Sequence, residues 1–152
     1  MRMLLPSGLV VVAGMMAPPL AVAPHAQERP ADYRFEVLKS FFQKAECPAE
    51  RYAQAFLDVA DRNDLDWRLL PSLSYIESTG GKAARHNNFF GWDSGNAEFS
   101  SPAAGIQEVG YRLGNSNLYK DKDLDELLAT YNSSADYGRR VKSVMRQIAP
   151  EQ

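Results

Sequence analysis

A carboxylate, a hydroxyl and two glycines fall together at one point of this 152-residue chain, in Leu69-Leu70-Pro71-Ser72-Leu73-Ser74-Tyr75-Ile76-Glu77-Ser78-Thr79-Gly80-Gly81. Leu69, Leu70, Leu73 and Ile76 recur at spacings of three and four, which is one apolar face of a helix. Glu77 lies four residues after Leu73 and seven after Leu70, so that face includes its carboxyl group. Ser78-Thr79-Gly80-Gly81 supplies the turn conformations that stop a helix. Partial burial and the negative end of the helix both disfavour charge on Glu77. An acid that keeps its proton near neutral pH can act as a general acid. The periodicity alone is equally satisfied by a solvated last-turn acid.

A second group of residues follows at once. Phe89, Phe90, Trp92 and Phe99 are interleaved with the turn-formers Asn87, Asn88, Gly91, Gly95 and Asn96. This is too aromatic for a solvated linker, and it predicts a loop or small β-hairpin lobe beside the end of the Glu77 helix. A backbone run of this kind offers N–H and C=O groups to sugar hydroxyl and N-acetyl groups, and an aromatic face stacks on a sugar ring. Packing between two lobes would use the same rings. Asp93 and Glu98 are the carboxylates of this lobe.

The segment around Glu77-Ser78 resembles the catalytic helix end of lysozyme-like peptidoglycan-cleaving enzymes, among them soluble lytic transglycosylases and bacterial endo-β-N-acetylglucosaminidases. Asn87-Asn88-Phe89-Phe90-Gly91-Trp92 is similar to the cleft-lining Asn-Asn-Leu-Phe-Gly segment of the glucosaminidases, with Phe89 in place of the aliphatic residue. Phe99-Ser100-Ser101 with Ile106 resembles the element after the hairpin, in a structural role. Tyr131-Asn132, with Tyr137 nearby, resembles the segment opening the last helix, where a Tyr approaches the catalytic carboxylate and the substrate. The likeness spans roughly residues 50–148. It implies a mostly α, lysozyme-like domain that cleaves β-1,4 bonds next to N-acetylated sugars. Glu77 would be the general acid and Tyr131 would act beside it. Ser78, Asn88, Phe90, Gly91, Trp92 and Asn132 would bind substrate. Asp93 or Glu98 would be a second carboxylate, unless the substrate's own acetamido group assists. Soluble transglycosylases usually carry a Gly-Leu-Met-Gln-type motif after the Glu-Ser helix; its absence here favours the glucosaminidase-like branch. A lysozyme-like module that binds glycan or a cell-envelope partner without cleaving it is the alternative, and an unrelated secreted helical protein is a third reading.

The elements that must position these residues are helical. Phe35, Leu38, Phe41, Phe42 and Ala45 share a face over residues 34–46, and Cys47-Pro48 breaks that helix. Pro48 suits the first turn of a second helix, to about residue 62, whose buried face is Tyr52, Ala53, Phe56, Leu57 and Ala60. Asp64 or Asp66 can cap the third helix, in which Pro71 predicts either a kink or a later start. Ser101-Pro102 opens a fourth, lined by Ile106, Val109 and Leu113. Leu124, Leu127, Leu128 and Tyr131 mark a short fifth helix. Tyr137, Val141, Val144, Met145 and Ile148 give the cleanest helical period in the chain, with Tyr137 read as core.

Composition bounds the rest. Arg2 followed by the apolar run from Leu4 to Ala17, interrupted by Pro6 and ended by Pro18 and Pro19, predicts a signal peptide over residues 1–26. Cleavage is expected after Ala26 rather than Ala23, which precedes Pro24. Residues 27–33 are expected to be a flexible mature N-terminus, and 34–150 the domain. The export this implies is periplasmic or extracellular. The chain carries 17 basic and 19 acidic side chains, net −2; the expected signal segment holds one of those charges, Arg2, so the remainder is −3. That balance argues against nucleic acid as a partner and leaves peptidoglycan glycan strands open. Cys47 is the single cysteine, so no intramolecular disulfide forms. Two histidines, one in the signal segment, cannot build a metal cluster, and no cofactor is implied. His86, a loop histidine, is not assigned to the site.

Overall fold

The structure, a computed structural model, describes residues 32–150. The expected signal peptide and most of the expected flexible segment lie outside the described residues. Among the described residues six helices follow in order: α1 (Tyr33–Lys44), α2 (Ala53–Arg62), α3 (Leu69–Ser78), α4 (Pro102–Asn115), α5 (Leu124–Tyr131) and α6 (Tyr137–Ile148). Among the described residues there is no strand and no helix long and apolar enough to cross a membrane.

Local chemistry accounts for most helix ends. The Asp32 carboxylate accepts from the Arg34 N–H at 3.0 Å, so α1 begins one residue earlier than its apolar pattern and takes up the end of the segment expected to be flexible. Pro48 opens not an α-helix but a 3-10 turn, Pro48–Tyr52, whose Ala49 N–H donates to the Gly80 carbonyl at 3.0 Å. Pro71 falls in the first turn of α3, where a missing N–H costs nothing, so the helix starts late rather than kinking. Neither Asp64 nor Asp66 caps it as its N-cap; Arg68 occupies that position, and the Asp66 carboxylate accepts from the Arg68 N–H at 2.9 Å just outside. Ser101 caps α4 through the Ala104 N–H, with Pro102 at the first helical position. Asp123 and Glu126 form a reciprocal capping box on α5.

α3 packs against α2 and α6, and α2 packs in turn against α1 and α4. Leu69, Leu70 and Leu73 of α3 are buried with Phe42, Phe56, Ile106, Leu128 and Val141 in one continuous core. The helix bearing Glu77 is therefore enclosed along most of its length, and its C-terminal end emerges against the loop of residues 79–101.

That loop forms no hairpin. Its only pairing among the described residues is an isolated bridge between Arg85 and Asn88. Thr79, His86, Asn87, Asp93 and Ser94 all have positive φ, as do Gly80, Gly81, Gly91 and Gly95. A backbone that reverses hand so often cannot sustain a strand ladder. It curls instead into a lobe of successive turns.

Candidate functional site

α3 ends because Thr79 takes a left-handed conformation, φ 54° and ψ 49°, while its N–H and that of Gly80 close back onto Tyr75 and Ser74 carbonyls. Glu77 is thereby left half-buried in the last turn. The Ser78 hydroxyl, buried beneath that turn, donates at 2.8 Å to the Phe89 carbonyl and accepts from the Gly81 N–H at 3.0 Å. Ser78 is thus the rivet between helix and lobe. The hydroxyl is buried and its proton is used within the protein, on the Phe89 and Ser74 carbonyls, so the expected substrate contact is corrected to a positioning role.

Asn88 plays the corresponding part inside the lobe. It is 4% exposed. Its Nδ2 donates to the Trp92 and Ala97 carbonyls, at 3.0 and 3.1 Å, and its Oδ1 accepts from the Phe90 and Trp92 N–H groups, at 3.3 and 2.9 Å. With every lone pair and proton used, Asn88 shapes the loop and has none left for a sugar. Phe90 is also withdrawn: its ring is buried edge-on to Phe56. Phe89 packs edge-on to Tyr52.

Two tyrosines at the α5–α6 corner complete the site. The Tyr137 hydroxyl donates to Glu77 Oε1 at 2.6 Å, and the Tyr131 hydroxyl donates to the Phe90 carbonyl at 2.7 Å. Their rings stack, 5.8 Å between centroids and 9° between planes. The partner of the Glu77 carboxyl group is therefore Tyr137, not Tyr131. Burial, then the bond to Glu77, raises the Tyr137 phenol far above the usual range. Burial, then the Glu77 charge, does the same for Tyr131. Both phenols remain protonated donors at any physiological pH.

Gly91 passes closest to the other carboxyl oxygen. A Cβ there would stand 2.9 Å from Glu77 Oε2, and its φ of +58° is one that a side chain disfavours. Only glycine lets the loop run past the acid without displacing it. The two oxygens of Glu77 are thus distinguished: Oε1 is held by a buried phenol and Oε2 meets the bare backbone of the lobe.

Beyond Gly91 opens a cleft of about 530 Å³. Gly91, Trp92, Asp93 and Ser94 line it from the lobe, Arg112 from α4, Tyr119 from the connection before α5, and Tyr131 from α5. Glu77 adjoins this cleft through Gly91 and Tyr131 rather than lining it. Trp92 is half-buried, its ring 5.7 Å from Tyr131 and 6.3 Å from Tyr119. Asp93 is exposed on the rim. Glu98 accepts a 3.2 Å contact from His86 Nδ1 and does not line the cleft. Asn132 is exposed at the end of α5, its Oδ1 accepting from the Ser134 N–H. Among the described residues no group of three His, Cys, Asp or Glu could hold a metal ion.

The sequence reading did not assign Tyr137, Tyr119 or Arg112 to the site. A signal existed for Tyr137. It stands on a helix stripe otherwise made of Val, Met and Ile, and a buried phenol needs a hydrogen-bond partner. That the partner is Glu77, 60 residues earlier, depends on α3 packing against α6, which no local pattern reveals.

Fold and site together define a mostly helical domain in which a half-buried carboxylic acid, held by a buried phenol, adjoins an aromatic cleft. No protein-family model, no curated protein and no solved structure matches the chain.

Proposed function

We propose that this protein is an exported peptidoglycan glycosidase that cleaves β-1,4 bonds next to N-acetylated sugars, with Glu77 as general acid. The observation that carries the reading is the asymmetric fixing of Glu77, with Oε1 bound by the Tyr137 hydroxyl and Oε2 beside Gly91 at the edge of the aromatic cleft. When Glu77 acts as the acid, Oε2 is the oxygen left to carry the transferable proton, since Oε1 accepts from Tyr137. From there it passes to the leaving glycosidic oxygen.

Trp92, half-buried on the cleft wall beside Tyr119 and Tyr131, supplies a ring face for a sugar, and the backbone around Gly91 supplies polar groups. Of the two carboxylates considered for the opposite face of the sugar, Asp93 lines the cleft and Glu98 does not, so Asp93 is the one retained. The alternative that the substrate's acetamido group stabilises the oxocarbenium-like centre needs no second carboxylate. The missing Gly-Leu-Met-Gln-type motif favours hydrolysis of the glucosaminidase kind over transglycosylation.

The test is digestion of purified peptidoglycan by the wild type and by Glu77→Gln, with mass analysis of the fragments. Gln keeps the acceptor for Tyr137 and removes the proton. Release of fragments by the wild type alone supports the reading, and the fragment ends name the bond: reducing N-acetylglucosamine, reducing N-acetylmuramic acid or an anhydro end. Glycan binding without release by either protein would make it a binding module instead.

A further inference from the structure

The cleft contains one feature that hydrolysis of a neutral sugar chain does not require. Among the described residues that line it, Arg112 is the sole cation. Arg112 sits near the end of α4, and its Nε donates at 2.6 Å to Glu108 Oε1, one turn earlier on the same helix. Neither of its terminal nitrogens makes a hydrogen bond among the described residues. Glu108 thus steadies the guanidinium by one edge and leaves the two-pronged end available.

Trp92, Tyr119 and Tyr131 line the same cleft as Arg112. A ring face and a planar, bidentate cation side by side match a sugar that carries a carboxylate. The guanidinium fork pairs with both carboxylate oxygens at once, and a hydroxyl cannot use it fully. Asp93 shares the cleft but forms no ion pair with Arg112. Its negative charge repels an anion from the lobe side and leaves the α4 side as the place where one can settle. The cleft therefore has a polarity that a neutral glycan would not exploit.

We propose that Arg112 selects glycan bearing a carboxylate, binding that group beside the aromatic wall. This rests on the glycosidase reading of the cleft and narrows its substrate. In peptidoglycan the carboxylate comes from one of two sources: the lactyl ether of N-acetylmuramic acid, or the peptide stem attached to it.

The experiment measures binding by Trp fluorescence, using the full chain with Glu77→Gln so that no ligand is consumed. The ligands are an N-acetylglucosamine oligomer, a peptide-free alternating oligomer of the same length, and the peptide-bearing form. A carboxylated ligand is expected to bind about tenfold more tightly than the neutral one, the scale of a partly exposed bidentate ion pair. Adding Arg112→Gln should bring that ratio close to one, and Arg112→Lys should restore only part of it. Preference for the peptide-free form identifies the lactyl group, and preference for the peptide-bearing form alone identifies the stem. Equal affinity for all three ligands, or an Arg112→Gln loss that is the same for each, overturns the proposal while leaving the glycosidase reading intact if the wild type still cuts. Binding of no ligand together with no cleavage overturns both.

Discussion

The Tyr137 hydroxyl does two things at once: it satisfies a buried phenol and it fixes the orientation of the Glu77 carboxyl. Tyr137→Phe keeps the ring, its stacking on Tyr131 and its place in the core, and removes only the bond of 2.6 Å to Oε1. Loss of a hydrogen bond to a half-buried carboxyl group costs about 1–3 kcal/mol. Chemical denaturation of the variant should register a loss in that range. If Glu77 is the acid, turnover on peptidoglycan should fall as well, in kcat more than in KM, because the carboxyl loses its orientation while the sugar-binding wall is untouched. Unchanged turnover in a folded Tyr137→Phe protein would show that the phenol is structural alone. Gln at Glu77 and Phe at Tyr137 thus probe the two ends of one bond, and their effects on kcat should not add.

At the scale of elements, the lobe of residues 79–101 owes its shape to side chains that bond backbone. Asn88→Ala removes four such bonds and strands the Trp92 and Ala97 carbonyls and the Phe90 and Trp92 N–H groups. Water can reach some of them, so the expected cost is about 2–4 kcal/mol rather than the full sum. Protease cleavage within the lobe should rise sharply in this variant, while far-UV helicity is retained; a lobe as resistant as the wild type would refute the hub role of Asn88. The helices were legible in sequence because each carries its own period, and three of them a side-chain cap, Asp32, Ser101 and Asp123. Ser101-Pro102 and the stripe from Tyr137 to Ile148 are local facts, whereas Pro71 fits a kink or a late start equally well until the packing of α3 is known. The lobe was legible only as aromatic and turn-rich. Its backbone follows from Asn88, Ser78 and the positive-φ residues acting on distant carbonyls, so a hairpin and a coil of turns fit the same string of residues. The resemblance puts Tyr131 beside Glu77 and the periodicity makes Tyr137 core; that Tyr137 meets the acid instead depends on how α5 and α6 meet. Tyr131 occupies the Phe90 carbonyl instead.

Over the whole molecule, ionisation sets the pH range in which the fold persists. At the acid edge, hydrogen bonds from Arg34 hold the Asp32 and Asp61 carboxyls below their usual range. Their contribution is present above the ordinary Asp value near 4 and is lost as pH falls. Asp61 is about half exposed and Asp32 about a third, so this edge is shallow and weakened by salt. The alkaline edge is steeper. Tyr119, Tyr131 and Tyr137 all titrate above the usual phenol range, with burial the leading cause for each. In the unfolded chain the same phenols ionise near pH 10. Below that pH the folded and unfolded chains bind these protons equally, and the phenols' full contribution is present. Above it the unfolded state sheds protons that the native state retains, so stability falls with each further increment of pH. Urea midpoints should therefore fall slightly from about pH 8.5, where the unfolded Cys47 thiol ionises while burial holds the folded one protonated, and drop steeply beyond about 10. Tyr137→Phe should start from a lower plateau and show a shallower alkaline drop, since one of the three phenols is gone. Lysine ion pairs such as Lys142–Asp125 also weaken in this range, but they are common to both proteins and cancel in the comparison. Parallel alkaline limbs for the wild type and the variant would mean that Tyr137 ionises in the folded protein as freely as in the unfolded one, and the buried bond to Glu77 would then have to be abandoned.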